Sequence, residues 1–358
     1  MTQTRQQRIE SVRIMVEYNW MYLRHLYASV CERLGESGIE AMKAGFRQHG
    51  RYRGESIRNS AKGCATPRGA AAFLQCWDTA ELLLASRGEC LQPTRDGDRV
   101  IVQLERIPGR EYFADKGDAT VLQLYWRELL TGIAAGYDEA LSIQTEHLDA
   151  GADKTWELEL TFNGLPSSQT SVDTQDKFSD PVTAIDISRR TAGVFSGLCM
   201  HTTQALMQRF GGTGEEVART ALYNFGAERA VGMREQAERD GRTLDFNSWF
   251  DIISERDPNS SAWVFRGDTH ISAGVFQVTC TYCPMAEVWA EFGPDGLALG
   301  YVYDMEVHRG LVEAFNPEGV VAWEKVKTRG DRVCNFRFSI PSLVTDDDPP
   351  WARGLRNT

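Results

Sequence analysis

A chain that repeats itself has few ways to fold, and this chain repeats. Residues 25–61 align on 201–237 without a gap: His25 falls on His201, Arg33 on Arg209, Gly35 on Gly211, Gly38 on Gly214, Glu40 on Glu216, Gly50 on Gly226, Arg53 on Arg229 and Arg58 on Arg234. Apolar positions keep the same register, Leu34 with Phe210, Phe46 with Leu222 and Ile57 with Met233. Further on, Tyr125 matches Tyr303, Tyr137 matches Phe315, Glu146 matches Glu324, Asp153 matches Asp331, and Leu158 and Leu160 match Phe336 and Phe338. Glycines and arginines held in one register are the mark of a tandem duplication.

The repeat sets the expected organisation. Residues 1–163 read as a diverged first copy, 164–190 as a polar Ser/Thr/Asp-rich linker, 191–342 as the second copy and 343–358 as an extended surface tail. Each copy reads as α+β: a helical hairpin plus extra helices packed on a small antiparallel sheet. The hairpin helices are expected at about 5–34 and 37–62, and at 193–210 and 213–239, closed by Gly-x-x-Gly at 35–38 and 211–214. A third helix is expected near 68–86 or 244–255. Two strands then flank "DGD" at 96–98 or "RGD" at 266–268 as turns. "PGREYFADKG" and "PMAEVWAEFG" begin short helices; longer helices span about 126–142 or 304–315, and final strands 154–162 or 332–340. Two fused copies suggest a pseudo-twofold dimer within one chain.

The chain's 358 residues suffice for two domains, and its net charge of −11 argues against a nucleic-acid partner and against an anionic membrane surface. The first residues lack the apolar run of a secretory signal, and no segment is long and apolar enough to span a membrane. Eight scattered cysteines in such a chain read as reduced thiols, which fits the cytoplasm. The partner expected is a small-molecule substrate, with a homo-oligomer possible.

Each copy serves as the other's control. Cys283 stands opposite Ile107, Asp304 opposite Trp126, His308 opposite Leu130 and Cys334 opposite Trp156. In every case the second copy carries the small or ionisable group. On the last strand Cys334, Phe336, Phe338 and Ile340 share one face, because alternate residues of a strand point the same way. A thiol in place of an indole on that face removes volume that a packed interior does not leave empty. Other side chains or a ligand pocket must take it up, and the expectation is a first copy filled in and a second copy open.

Cys283 precedes Pro284 and falls at a helix N-cap, where the helix dipole favours a thiolate; a plain capping cysteine is the alternative. Asp304 and His308, four residues apart, share a helix face, although Asp304 could simply cap that helix. Cys283, His308 and Asp304 would make a thiol, imidazole and carboxylate set, with Cys334 as the fourth candidate. No cofactor is required; the runner-up is zinc on Cys283, Cys334 and Asp304, which are acceptable ligand types. Cys280, in Cys-x-x-Cys with Cys283, shares a face with Val278 and Phe276 and reads as core. Arg229 or Arg234 could grip a substrate carboxylate with both guanidinium arms, and Asn316 could hold an oxyanion or begin a turn.

The pieces "YCPMAEVWAEFG" (282–293), "YVYDMEVHRGLVEAFNP" (301–317) and "KVKTRGDRVCNFRF" (325–338), with "ALYNFGAERAVGMREQA" (221–237), resemble the L-2-amino-thiazoline-4-carboxylic acid hydrolase family. The resemblance puts the family's motif cysteine on Cys283, its aspartate on Asp304, and its Thr-x-Gly-Asp-x-x-Cys stretch on Thr328, Gly330, Asp331 and Cys334. Two positions depart from it: Tyr301 stands where the family usually has cysteine, and Asn335 where it usually has aspartate. The Gly-Asp-x-x-Cys-x-Phe ending is also similar to the vinyl-reductase-type small-molecule-binding domains, whose members bind zinc or aromatic ligands. The resemblance implies hydrolysis of a C–N or C–S bond, with ring opening, in a small cyclic or carboxylated substrate. The alternatives are an aromatic- or zinc-binding protein without turnover, and a lyase or other non-hydrolytic enzyme using the same pocket.

Overall fold

The computed structural model describes residues 4–63, 69–77, 94–96, 99–104, 107–116, 120–146, 156–163, 181–256, 266–281 and 283–356. They divide into two compact units, Met15–Glu215, and Met1–Ile14 together with Glu216–Thr358. Both are α+β.

The first unit holds most of α1 (Arg5–Ala61), then α2 (Ala70–Cys76), β1 (Thr94–Asp96), β2 (Arg99–Leu104), α3 (Arg110–Lys116), α4 (Thr120–Tyr137), β3 (Leu141–Glu146), β4 (Trp156–Phe162) and α5 (Pro181–Phe210). Its strands are antiparallel in the order β1-β2-β4-β3. α1 is interrupted at Gly35, whose φ of 59° and ψ of −150° are non-helical. Only glycine takes such a conformation readily, so the break expected between the two helices at 35–38 falls at Gly35. α5 begins at Pro181, a favoured first helical residue, so residues 181–190 of the expected linker are helical.

The second unit holds α6 (Gly212–Arg239), α7 (Phe246–Arg256), β5 (Arg266–Ile271), β6 (Val275–Cys280), α8 (Pro284–Glu291), α9 (Gly293–Phe315), β7 (Val320–Val321), β8 (Cys334–Ser339) and α10 (Pro350–Arg353). Its sheet repeats the first, antiparallel in the order β5-β6-β8-β7. Trp156, first on β4, pairs with Leu104, last on β2, and Cys334, first on β8, pairs with Cys280, last on β6. The two units also have similar helix crossings. A Cβ on Gly132 would collide with the Arg47 carbonyl, and one on Gly310 with the Tyr223 carbonyl. Buried Glu128 pairs with Arg47, and buried Glu306 pairs with Arg219 at 2.7 Å.

Three expectations change. "RGD" at 266–268 lies inside β5, at an irregularity in its pairing with β6; the turn comes after Ile271, where Ser272 N–H donates to the Val275 carbonyl. The long helix α9 starts at Gly293, not near Asp304, because Gly293 (φ 71°) and Pro294 end one helix and open the next without a loop. Helices α2 and α7 stand for the expected third helices, with residues 78–93 outside the described set. The tail is not merely an extended surface segment. It makes a 3-10 turn at Pro341–Leu343 and then α10, and buries Asp348 and Ala352. Asp348 accepts hydrogen bonds from Ser272 Oγ (2.6 Å), Thr345 N–H (2.7 Å) and Thr345 Oγ1 (3.0 Å), and pairs with His270 Nε2 at 3.0 Å.

The core of the second unit lies between α6, α7, α9 and one face of the sheet. Trp249, Phe246, Phe315, Leu311, Phe338 and Ile340 form its bulk. A smaller cluster of Val278, Cys280, Val326 and Cys334, with Tyr301, Trp323 and Phe336 packed on it, continues along the same sheet face. There α9 presents Asp304 and His308 to the sheet.

Candidate functional site

Three segments converge on Asp304. The side chain lies mid-helix on α9, so the helix-capping role is excluded by position, and it is buried. Thr328 Oγ1–H donates to Asp304 Oδ2 at 2.7 Å. Burial pushes the carboxyl up to about 7, against the Thr328 hydrogen bond, which favours the charged form. Cys283, at the start of α8, and Cys334, at the start of β8, are close enough for the Asp304 charge to raise both thiols.

Cys283 sits at the N-cap of α8 with an extended backbone (φ −139°, ψ 107°), followed by Pro284 at the first helical position. The expected thiolate is not what the site favours. Burial, then the Asp304 charge and Cys334, push the Cys283 thiol up to about 12, while the amides of Ala286 and Met285 pull the other way. The helix terminus acts as expected and is outweighed. Cys334 is buried, and burial pushes it up to about 11.

The segment 326–334 is what brings Thr328 to Asp304. Val326 N–H donates to Asp331 Oδ2 at 2.9 Å, closing a loop around the 3-10 turn Lys327–Arg329. Gly330 ends that turn at φ 93°, a left-handed conformation that favours glycine. Lys327 N–H donates to Cys334 Sγ at 3.4 Å. The Thr-x-Gly-Asp-x-x-Cys spacing is therefore a turn with its hydrogen bonds built in.

His308 follows Asp304 by one turn. Its Nδ1 lies 2.6 Å from the Asp304 carbonyl oxygen. A carbonyl only accepts, so Nδ1 carries the proton and neutral His308 keeps its lone pair on Nε2. Burial, with the positive charge of Arg229, pushes His308 down to about 4, so it is neutral at neutral pH. Its ring lies 5.1 Å from Trp323 and Phe336 and 5.8 Å from Phe338, between centroids.

The other candidates divide. Arg229 is half-buried, stacks over Phe225 at 5.6 Å and acts electrostatically on His308. Arg234 instead makes an exposed pair with Glu238 at 2.9 Å. Asn316 is used by the turn: its Nδ2 donates to the Leu244 carbonyl and its Oδ1 accepts from Glu318 N–H. Cys280 is buried in the sheet-face cluster, as its alternation suggested. Among the described residues no three His, Cys, Asp or Glu side chains, Cys283, Cys334 and Asp304 included, are placed to hold a metal ion.

In the first unit the equivalent places are apolar. Ile107, Trp126 and Leu130 are all buried, and Trp126 Nε1–H donates to the Pro108 carbonyl at 3.1 Å. Residues that pattern reading did not single out as site members are Thr328 in its contact with Asp304, and Tyr301, which packs on the Cys334 cluster beneath the Arg329 guanidinium at 5.3 Å. A Thr two residues before a glycine that must be left-handed was the available signal.

Helix, turn and sheet thus bring a half-buried thiol, a buried thiol and a buried carboxyl together beside a neutral imidazole. Residues 191–338 match the L-2-amino-thiazoline-4-carboxylic acid hydrolase family. That span contains every residue of the site. No curated protein and no solved structure matches the chain. No described helix is long and apolar enough to cross a membrane.

Proposed function

We propose that the second half is the catalytic half of a hydrolase that opens a C–N or C–S bond in a small cyclic, carboxylated molecule, with Cys283 as nucleophile and Asp304 as its base. One observation carries this reading: a buried carboxyl balanced near neutrality acts electrostatically on a thiol that is not already ionised. Such a thiol needs a base during attack, and a group balanced near the working pH serves both to take and to return a proton.

The steps balance as follows. Sγ bonds to the carbon of the C=N group while Asp304 takes the thiol proton. The ring bond to nitrogen or sulfur then breaks, and the leaving atom receives that proton. A water molecule, losing its proton to His308 Nε2, adds to the same carbon of the adduct; as the carbon–Sγ bond then breaks, His308 gives that proton to Sγ and Cys283 departs as the thiol. Arg229 is the candidate for the substrate carboxylate, since it is half-buried beside His308. The family match over 191–338 supports the reaction class.

We place the first half as a scaffold derived by duplication. The shared strand order, the matched crossings at Gly132 and Gly310, and the apolar residues at the site positions support that. A second reading, an aromatic-binding protein, is favoured by the Trp323, Phe336 and Phe338 wall around His308.

Turnover of 2-amino-thiazoline-4-carboxylate by the wild type separates the two, and Asp304→Asn tests the base. It removes the charge that disfavours the Cys283 thiolate, so iodoacetamide should label Cys283 faster. It also removes the base, so turnover of 2-amino-thiazoline-4-carboxylate should fall by about 100-fold or more. Retained turnover in Asp304→Asn would remove Asp304 as the base, and a wild-type protein that does not consume 2-amino-thiazoline-4-carboxylate at all would sink the hydrolase reading.

A further inference from the structure

We propose that Thr328 and Cys334 are positioning residues that aim the Asp304 carboxylate at Cys283, with Cys334 acting as a hydrogen-bond acceptor and not as a second nucleophile. This rests on the assignment of Asp304 as the base.

The geometry separates the duties of the two carboxylate oxygens. Oδ2 accepts from Thr328 at 2.7 Å. A carboxylate held at one oxygen cannot rotate freely about its terminal bond, so Oδ1 keeps a fixed direction for the proton it must take. Thr328 is itself fixed. Its turn is closed on one side by Asp331 accepting Val326 N–H, and on the other by Cys334 Sγ accepting Lys327 N–H. The strand pairing of Cys334 with Cys280 anchors that sulfur in the sheet. Sheet, turn and helix are thereby linked in series: Cys334 to Lys327, Thr328 to Asp304. Beneath the turn α9 has Gly300, where a Cβ would crowd both Trp289 and the Thr328 methyl, so the close approach of turn to helix depends on that glycine.

The groups facing Asp304 are few. Cys283 comes from α8 and Cys334 from β8, and both feel its charge. Lys327 and Asp331, on the turn, act on Cys334 with opposite sign. His308 meets Asp304 at the backbone carbonyl, not the carboxyl. Removing the Thr328 hydroxyl leaves burial unopposed, so the carboxyl should hold its proton to higher pH.

The test is a titration of Asp304 by NMR in protein labelled with 13C at aspartate carboxyls, the signal assigned with Asp304→Asn. The wild-type midpoint is expected near 7. Thr328→Val should move it up by about one pH unit, and Thr328→Ser should leave it in place. Cys334→Ser retains an acceptor and should behave as wild type, whereas Cys334→Ala should move the midpoint in the same direction as Thr328→Val. Turnover of 2-amino-thiazoline-4-carboxylate at neutral pH should fall about tenfold in Thr328→Val and recover as pH rises. An unmoved midpoint in both Thr328→Val and Cys334→Ala would overturn the proposal, as would a Thr328→Ser variant as impaired as the valine. Should Thr328→Val fail to fold, the Cys334 pair decides. A shifted midpoint with full turnover in Cys283→Ala would remove the thiol mechanism, and with it the aim at Cys283, while leaving Thr328 and Cys334 as the residues that hold the Asp304 carboxylate. An unmoved midpoint with a dead Cys283→Ala would do the reverse.

Discussion

His308 Nδ1 lies 2.6 Å from the carbonyl oxygen of Asp304, four residues earlier on the same helix. That one bond fixes the tautomer and leaves Nε2 as the basic nitrogen. Nitrogen-15 spectra should show Nδ1 protonated and Nε2 bare at neutral pH. Burial holds the imidazole down to about 4, so it should not titrate through the ordinary imidazole range. A His308 midpoint near 6.5 would contradict the arrangement.

The C-terminal tail should be an acid-sensitive strap. Burial raises the Asp348 carboxyl, but hydrogen bonds from Ser272, the Thr345 amide, His270 and the Thr345 hydroxyl outweigh it and hold it at about 2. A depressed carboxyl contributes stability that is present above its unfolded value, about 3.9, and lost as pH falls through the folded one. Asp348→Asn should cost about 2–3 kcal/mol at pH 7. The gap to wild type should close between about pH 4 and pH 2, measured by urea unfolding.

His49 is a buried imidazole with neither ring nitrogen hydrogen-bonded among the described residues. Burial, Arg53 and His201 all press its pKa well below the ordinary value. A depressed histidine contributes stability that is full above about pH 6.5 and is lost as pH falls toward its folded value. The matching position in the second half is Phe225, also buried. His49→Phe should therefore stabilise the protein by about 1–3 kcal/mol at pH 7 and flatten its acid sensitivity. Thermal melts at pH 5 and pH 7 check both.

Gly132→Ala and Gly310→Ala should be equally damaging. In each case a new methyl meets a backbone carbonyl across a helix crossing, Arg47 in one unit and Tyr223 in the other. Backbone cannot step aside as a side chain can, so each variant should lose about 1–3 kcal/mol. A neutral result at one site only would break the equivalence of the two crossings.

Much of the fold was legible because its signals are local. Gly35 and Gly211 mark breaks between helices by the positive φ each adopts, 59° and 58°. Alternation placed Cys334 with Phe338 and Cys280 with Val278 on their shared face. The i, i+4 spacing put Asp304 and His308 on one face of α9. What local pattern could not show was long-range compensation. β7 is two residues long and owes its strand geometry to β8. The acidic tail reads as solvated, yet Asp348 is buried because four donors converge on it. Cys283 was expected to ionise from its helix position alone. The opposing Asp304 stands 21 residues further along the chain, on the next helix, and only the fold brings it near.

The most direct test of a Cys283 nucleophile is the mass of the protein during turnover. Acid-quenched samples taken while 2-amino-thiazoline-4-carboxylate is consumed should carry an added mass on the peptide containing Cys283, and Cys283→Ala should carry none and turn over nothing. Full-rate consumption by Cys283→Ala, with no adduct in either protein, would contradict the account.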